Sequence, residues 1–154
     1  MQAQIADEIR LARTRRERDA ALGLRHRVFC EEQGVAPELE RDGRDGEALH
    51  LVAVRGGRVV GTCRLVLDRG SAKLGRMAVE PGARGRGLGA AILAAAVAEA
   101  RAAGARRVAL HAQTAAAGLY ERAGFAARGE RFEEAGIEHV RMEMALSGQA
   151  GARA

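Results

Sequence analysis

Two apolar, β-branched runs separated by a short glycine turn constrain the fold of this 154-residue chain most strongly. The runs are residues 49–54 and 59–67, and the turn between them is Arg55-Gly-Gly-Arg58. Two consecutive glycines supply the positive φ angles that a tight hairpin turn needs. The segment therefore predicts two antiparallel strands, so the chain contains a β-sheet.

Periodicity and helix caps predict the remaining elements. Thr14 and Glu17 have the spacing of a capping box, so we expect a first helix from there to about residue 29, after a short strand at 9–11. Residues 34–47 hold glycine, proline and acids without an apolar period and predict a loop with room for one helical turn. The other predicted elements are strands at 72–79, 108–112 and 137–144, helices at 87–103 and 115–123, and an extended segment from 125 to a turn at 134–136.

In chain order these elements are β-α-β-β-β-α-β-α-β-β, which is typical of an α/β fold with a mixed β-sheet flanked by helices. At 154 residues the chain has the length of one domain. We therefore expect a single domain over residues 1–146. The small and polar residues at 147–154 are expected to form a frayed tail.

The composition is that of a globular protein, with 47% hydrophobic and 29% charged residues. Acids stand where a secretory signal would have its apolar stretch, and no apolar run approaches the roughly 20 residues needed to cross a bilayer. We therefore expect a cytoplasmic protein that does not bind membranes. Cys30 and Cys63 are expected to be buried free thiols, and since no residues have metal-ligand spacing, no metal is expected.

Charge is distributed unevenly along the chain. The formal charge is +5, but residues 31–47 hold seven acids and two arginines, a local charge of −5 that leaves +10 elsewhere. Lys73 is the only lysine, and the other 24 basic residues are arginines. With four aromatic residues and no recognised reader motif, the chain is not expected to bind nucleic acid. Its oligomeric state, monomer or homodimer, is left open.

A glycine-rich turn between the strand at 72–79 and the helix at 87–103 carries the chemistry. Its sequence is Arg84-Gly85-Arg86-Gly87-Leu88-Gly89-Ala90. A helix amino terminus has unpaired N–H groups and a partial positive charge, so it binds phosphate. Glycines let an anion approach that backbone, and guanidinium groups are fork-shaped donors that suit phosphate. The turn therefore predicts a phosphate or diphosphate site.

Two common phosphate-binding motifs do not fit this turn. A P-loop requires Gly-Lys-Ser/Thr, whereas Gly89 is followed by two alanines. A dinucleotide fingerprint is formally matched by Gly85-x-Gly87-x-x-Ala90, but it needs an acid about 20 residues further on, where this chain has none. The turn also follows three predicted strands, whereas the dinucleotide motif opens its fold.

Residues 84–89 resemble the Arg/Gln-x-x-Gly-x-Gly/Ala signature of the GNAT superfamily of N-acetyltransferases. Residues 120–125 resemble the Tyr-x-x-x-Gly-Phe segment that follows it in that superfamily. The similarity extends over about residues 9–144 to the ElaA-like (YjcF-like) branch. Glu138 is a departure, since members often have proline before the following histidine. The segments that carry this similarity are 25–29, 32–35, 50–51, 61–64, 75–79, 110–113 and 136–139.

The resemblance implies an α/β N-acetyltransferase that transfers the acetyl group of acetyl-CoA to a primary amine of a small molecule or peptide by direct attack. A CoA-binding protein without turnover remains the alternative. The resemblance also implies that a backbone N–H near 77–79 stabilises the oxyanion and that the Tyr120 hydroxyl protonates the leaving thiolate. The implied acetyl-CoA contacts are Met77, Ala78, Val79, Arg84, Gly85, Arg86, Gly87, Leu88, Gly89, Ala90, Gln113 and Tyr120.

Four residues are candidates for the base that deprotonates the amine: Glu32, His50, His111 and His139. Of these, we predict Glu32 and His139 as catalytic residues. In the fold that the resemblance implies, the acidic run at 31–47 lies over the acceptor site. We therefore hypothesise that these carboxylates attract a cationic amine.

Overall fold

The computed structural model describes residues 7–146, which form one seven-stranded sheet in the order β1-β2-β3-β4-β5-β7-β6. All neighbouring strands are antiparallel except β4 and β5, which are parallel. The predicted fold class, an α/β fold with a mixed sheet, is confirmed; the expected tail at 147–154 lies outside the described residues. The strands are β1 (Glu8–Leu11), β2 (Leu49–Arg55), β3 (Arg58–Asp68), β4 (Ser71–Val79), β5 (Arg107–Gln113), β6 (Ala126–Glu134) and β7 (Ile137–Ala145).

The first helix begins as predicted, with the Glu17 N–H donating to the Thr14 hydroxyl at 3.1 Å. It continues past the predicted end as a π-helical segment. The wider turns of a π-helix do not follow the 3.6-residue period, so the periodicity of the sequence predicted too early an end. In the part of the chain that the structure describes, no helix is both long and apolar enough to cross a membrane. The helices are α1 (Arg15–Arg25), the π segment (His26–Glu32), α2 (Pro37–Glu40), α3 (Leu88–Ala102) and α4 (Ala117–Arg122), with 3-10 turns at Pro81–Ala83 and Thr114–Ala116.

Helices cover both faces of the sheet. Adjacent residues of β3 separate the two cores: Val59 packs with Leu24 of α1, whereas Val60 belongs to the cluster that includes Ile92 of α3. Adjacent strand residues point to opposite faces, so α1 and α3 lie on opposite sides. Cys63 is buried in the α3 core as expected, but Cys30 is only partly buried, so the expectation for Cys30 is wrong.

The helix α3 approaches β3 most closely at Gly61. A methyl group on Gly61 would lie 2.5 Å from Cδ1 of Ile92, well inside van der Waals contact. A larger residue at this position would therefore force the Ile92 side chain to move, and Ile92 belongs to α3, which carries the glycine turn at its amino end.

The sheet opens between β4 and β5. These strands pair only from Ser71–Arg107 to Leu74–Leu110 and diverge beyond that point. β4 also has one residue more than β3 between the Gly75 and Ala78 pairs, and Arg76 in this bulge has a positive φ of 57°. A bulge bends its strand and increases the local twist. The result is an opening at the centre of the sheet, beside the last five residues of β4.

We expect Gly61→Ala to lower the free energy of unfolding by about 1–3 kcal/mol, since the added methyl overpacks the contact with Ile92. Ile92→Val removes the Cδ1 atom, so the double variant Gly61→Ala/Ile92→Val should be more stable than the sum of the two single effects predicts. Urea denaturation measures both quantities. Gly46→Ala is the control, because a methyl there meets no atom within 4 Å. Strict additivity of the two changes would contradict this packing.

Candidate active site

Two clefts adjoin the opening between β4 and β5. The sheet cleft, of about 510 Å³, is lined by β4, β5, the π segment and the loop that contains α2. The turn cleft, of about 480 Å³, is lined by the glycine turn, the start of α3 and α4. Met77, Val79, Arg84 and Leu119 line both clefts. The two clefts therefore meet at the end of β4.

The glycine turn presents unpaired backbone donors to the turn cleft. The first bond within α3 runs from the Ala91 N–H to the Gly87 carbonyl at 3.1 Å, so the N–H groups of residues 88–90 have no partner within the helix. Gly85 and Gly87 both have φ of 83°, and Gly87 is the residue that caps α3. Positive φ at the cap turns the chain sharply into the helix, which aims these donors at the cleft where an anion can bind.

The end of β4 presents backbone groups to the opening. The Glu80 N–H donates to the Val60 carbonyl at 2.9 Å, on the β3 side. Because backbone polar groups alternate in direction along a strand, the N–H and carbonyl of Val79 point to the other side, where β5 has diverged. The Val79 carbonyl accepts a hydrogen bond from Nε of Arg84 at 2.9 Å. The Val79 N–H is thus a donor at the junction of the two clefts.

Arg84 is bound to Glu32. Its two terminal nitrogens donate to the Glu32 carboxylate at 2.7 and 2.8 Å, and this hydrogen bonding lowers the pKa of Glu32. Neither Glu32 nor the exposed Arg86 lines either cleft. The structure therefore places Glu32 beside the glycine turn, away from the candidate bases His111 and His139, which line the sheet cleft.

Tyr120 lies on α4 and lines the sheet cleft. It is 7% exposed, and its ring packs edge-on against Phe125 with centroids 6.1 Å apart. Burial, with a smaller contribution from Cys63, raises the pKa of Tyr120 to about 12. The phenol is therefore protonated at neutral pH, which is the form that a general acid needs, and its raised pKa makes it a weaker acid than a free phenol.

The structure brings His111 and His139 into the sheet cleft with Tyr120, and it leaves His50 outside. Nδ1 of His139 lies 2.6 Å from the Ile137 carbonyl. A carbonyl only accepts, so Nδ1 carries the proton and Nε2 of the neutral ring has the free lone pair. His111 Nδ1 instead lies 2.8 Å from the Glu134 carboxylate. The His139 ring stacks on Phe132, which fixes its orientation.

His50 has a structural role. Its Nε2 donates to the Asp45 carbonyl at 2.9 Å, while Nδ1 is buried and has no hydrogen-bond partner among residues 7–146. Gln113, the remaining predicted contact, lines the sheet cleft and donates to Gln33 at the end of the π segment at 2.9 Å. This bond ties the end of β5 to the segment that follows α1.

Three residues that line the turn cleft were not among the predicted contacts: Ala83, Leu119 and Arg122. Leu119 and Arg122 are three positions apart on α4, so they lie on one face of that helix. Tyr120 was the only residue of α4 predicted to contact the co-substrate. Helical spacing around Tyr120 is the signal that could have predicted Leu119 and Arg122.

Arginines bind the loop at residues 34–48, here called the acidic loop, to the rest of the protein. Arg25 is 1% exposed and donates to Glu40 at 2.6 Å and to Asp45 at 2.7 Å. Arg64 on β3 donates to Asp42 at 2.8 Å and to Asp45 at 3.1 Å. Further ion pairs join Arg76 to Glu40 and Asp42, Arg44 to Glu47, and Arg84 to Glu32.

Five of the seven acids in the run at 31–47 thus form ion pairs with arginines. The arginines balance the charges of these five carboxylates, which counts against the hypothesis that the acidic run attracts a cationic amine. Their structural effect is to hold the loop beside the sheet cleft.

The chain belongs to the GNAT acetyltransferase family: residues 12–146 match the family model described as an acetyltransferase (GNAT) domain. It is 34% identical over 133 residues to YjcF of Bacillus subtilis strain 168, described as an uncharacterized N-acetyltransferase, covering 86% of this chain and 95% of that protein.

Solved structures agree with this assignment. An acyl-CoA N-acyltransferase from Pseudomonas aeruginosa superposes with a TM-score of 0.81 at 32% identity, covering 91% of this chain and all of that one (100%). Escherichia coli ElaA has the same fold, with a TM-score of 0.80 at 24% identity, covering 88% of this chain and 98% of ElaA. The predicted resemblance to ElaA and YjcF is confirmed, and the chain is an acyl-CoA-dependent acetyltransferase.

The acidic loop makes stability depend on pH. The Arg64 hydrogen bonds hold the pKa of Asp42 well below its usual range. Burial alone would raise the pKa of Asp45, but the hydrogen bond and charge of Arg25, together with Arg64, outweigh it and lower that pKa. A carboxyl group whose pKa is lower in the folded state stabilises the protein above its unfolded pKa, and this stabilisation is lost on acidification.

We expect Asp42→Asn to lower the free energy of unfolding at neutral pH by about 1–2 kcal/mol, less than for a fully buried charged hydrogen bond because the carboxylate is partly exposed. The variant should lose less stability than the wild type as the pH falls below about 4, because the Asp42 carboxylate then takes up a proton in the unfolded wild type while it stays ionised in the folded protein. Urea denaturation across this pH range measures the difference. Glu38→Gln is the control, because it removes an exposed acid of the same loop whose side chain forms no ion pair or hydrogen bond among residues 7–146. Parallel pH profiles for wild type and Asp42→Asn would contradict the assignment.

Proposed function

We propose that this acetyltransferase transfers the acetyl group of acetyl-CoA to a primary amine of a small molecule or peptide by direct attack. The observation that carries the proposal is the junction of the two clefts at the end of β4. It joins an anion-binding turn to a cleft that contains a protonated phenol, Tyr120, and an imidazole, His139, with a free nitrogen.

The turn cleft offers the donors that the diphosphate of acetyl-CoA needs. The N–H groups of Leu88, Gly89 and Ala90 have no partner within α3, and the helix dipole adds to their attraction for an anion. Arg122 lines the same cleft and supplies a positive charge from α4. We place the diphosphate at this turn, so that the thioester end extends along Met77, Ala78 and Val79 towards the sheet cleft.

The Val79 N–H is the proposed oxyanion donor. Negative charge develops on the thioester oxygen when the amine attacks the carbonyl carbon, and a fixed backbone donor at that position stabilises the transition state more than the ground state. A donor that is already oriented needs no rearrangement during the reaction. The bulge and the divergence of β5 leave this N–H facing the opening.

Tyr120 is the proposed general acid and His139 the proposed base. As the new C–N bond forms and the C–S bond breaks, Nε2 of His139 takes the proton that leaves the amine. The sulfur receives a proton from the Tyr120 hydroxyl, and solvent restores both groups to their starting protonation states. His111 is the second candidate for the base, since its Nδ1 lies 2.8 Å from the Glu134 carboxylate and its Nε2 is then left with a free lone pair.

Glu32 is assigned a different role from the one expected of it. Its carboxylate is bound to both terminal nitrogens of Arg84, and its pKa is lowered, which makes it a weaker base. We propose that Glu32 positions Arg84, whose Nε in turn holds the Val79 carbonyl at 2.9 Å. This chain of contacts orients the peptide groups at the end of β4.

We expect Gly87→Val to abolish binding of acetyl-CoA, because a β-branched side chain is strained at a φ of 83° and would obstruct the turn cleft. Gly104→Val is the matched control: Gly104 has a φ of 87° at the other end of α3 and lies outside both clefts. Binding is measured by calorimetric titration with acetyl-CoA. Equal loss of binding in the two variants would mean that backbone strain, and not the turn, is responsible.

We expect Tyr120→Phe to bind acetyl-CoA as the wild type does but to release thiol about a hundredfold more slowly, at the low end for a general acid because a thiolate is already a good leaving group. Thiol release is followed with a chromogenic disulfide across a panel of amines. Binding that falls in proportion to the rate would show that the tyrosine is structural.

A further inference from the structure

Lys73 has an unusual place for a lysine. It lies on β4, in the middle of the sheet, paired with Val66 on β3 and Ala109 on β5, both of which are buried. Residues at the centre of a sheet covered on both faces are normally apolar. Lys73 is nonetheless exposed and lines the sheet cleft, and it is the only lysine of the chain.

The other cations that line the sheet cleft have anionic partners. Arg44 pairs with Glu47, Arg64 with Asp42 and Asp45, Arg76 with Glu40, and Arg84 with Glu32. Lys73 forms no ion pair with any residue in the range 7–146. Lys73 is therefore the one cation of the sheet cleft that has no anionic partner among the described residues, and its backbone position on β4 is fixed by strand pairing.

The opposite charge and the proposed catalytic groups lie elsewhere in the cleft. Glu134, bound to His111, lines the cleft as an anion, together with the arginine-paired Glu40 and Asp42. Every residue of β4 from Lys73 to Val79 lines the cleft, so Lys73 stands at one end of this stretch of strand and the proposed oxyanion donor at the other. Apolar side chains also line the cleft, among them Phe29, Val35 and Leu39.

The distance between the two ends limits the size of the acceptor. Six residues of extended strand span about 20 Å, and both the bulge and the length of the lysine side chain shorten the gap. What remains matches an extended chain of roughly three to four residues. A single α-amino acid, whose amine and carboxylate share one carbon, is too short to reach both ends.

We propose that Lys73 binds the carboxylate of the acceptor, and that the acceptor is a short peptide acetylated on its terminal amine, with its free carboxylate at Lys73. This inference rests on the proposed function and names its substrate class. The lysine ammonium is a compact charge with three donors on a flexible stem, which suits a carboxylate that arrives from solvent. The apolar side chains that line the cleft accommodate the side chains between the peptide's two ends.

The experiment compares matched pairs of amines that differ only in the carboxylate: trialanine with trialanine amide, and trileucine with trileucine amide. Alanine and alanine amide are included as compounds too short to span the cleft. The wild type should favour each tripeptide over its amide by about three- to tenfold in kcat/KM, because Lys73 is exposed and solvent screens its charge. The two alanine compounds should differ far less.

Substitutions at Lys73 should change the ratio between acid and amide. Lys73→Met should bring the ratio close to one, Lys73→Arg should keep a clear preference for the acid, and Lys73→Glu should reverse it. Arg107→Met removes an exposed cation of β5 outside both clefts and is the control for a general loss of positive charge. It should keep the wild-type preference.

Calorimetric titration of N-acetyl-trialanine and its amide, with CoA present, gives a second readout that needs no turnover. Equal treatment of acid and amide by the wild type, or a preference that survives Lys73→Met, overturns the inference. The wild type could also bind the acid in preference to the amide, lose this preference in Lys73→Met, and release no thiol with any amine. That result supports the inference on Lys73 and contradicts only the proposed acetyl transfer. Failure of every peptide to bind or react overturns the inference, and the proposed acetyl transfer is then decided separately by thiol release from the wider panel of amines.

Discussion

The separation of β4 from β5 is the constraint on which the site depends. A seven-stranded sheet would normally pair its central strands along their whole length, but here pairing stops at Leu74–Leu110 and a bulge at Arg76 bends β4. Backbone groups that would have bonded the neighbouring strand are left facing an opening. The same opening joins the anion-binding turn to the sheet cleft, so one interruption of the sheet supplies both the passage and the donor at Val79.

Charge pairing decides what the clefts can attract. The chain is basic overall and strongly acidic between residues 31 and 47, yet five of those acids are bound to arginines and act as fasteners for the loop. The positive features of the two clefts that have no paired anion among residues 7–146 are the helix terminus at the glycine turn, Arg122 and Lys73. All three favour anions. The positive charge thus accounts for a phosphate-bearing co-substrate and, by the inference on Lys73, for a carboxylated acceptor.

Much of the fold could be predicted from the sequence, because it depends on local signals. The Gly56-Gly57 hairpin, the Thr14 cap and the glycine turn each fix a short segment through φ angles or a nearby hydrogen bond. The π segment was missed because its turns do not follow the period used to detect helices. The pairing of Arg25, Arg64 and Arg76 with the acidic loop was also missed, since those partners are distant in sequence and meet only in the folded sheet. The contact between Glu32 and Arg84 was missed for the same reason, as the two residues lie 52 positions apart.

Amide hydrogen exchange with and without acetyl-CoA tests most directly whether the opening between β4 and β5 is the binding site. The account predicts slower exchange on addition of acetyl-CoA at two separate segments, residues 77–79 and residues 85–90, because their free N–H groups gain acceptors. The amides at the Gly104 end of α3 should not change. Protection spread evenly over the protein, or protection that leaves both segments unchanged, would contradict it.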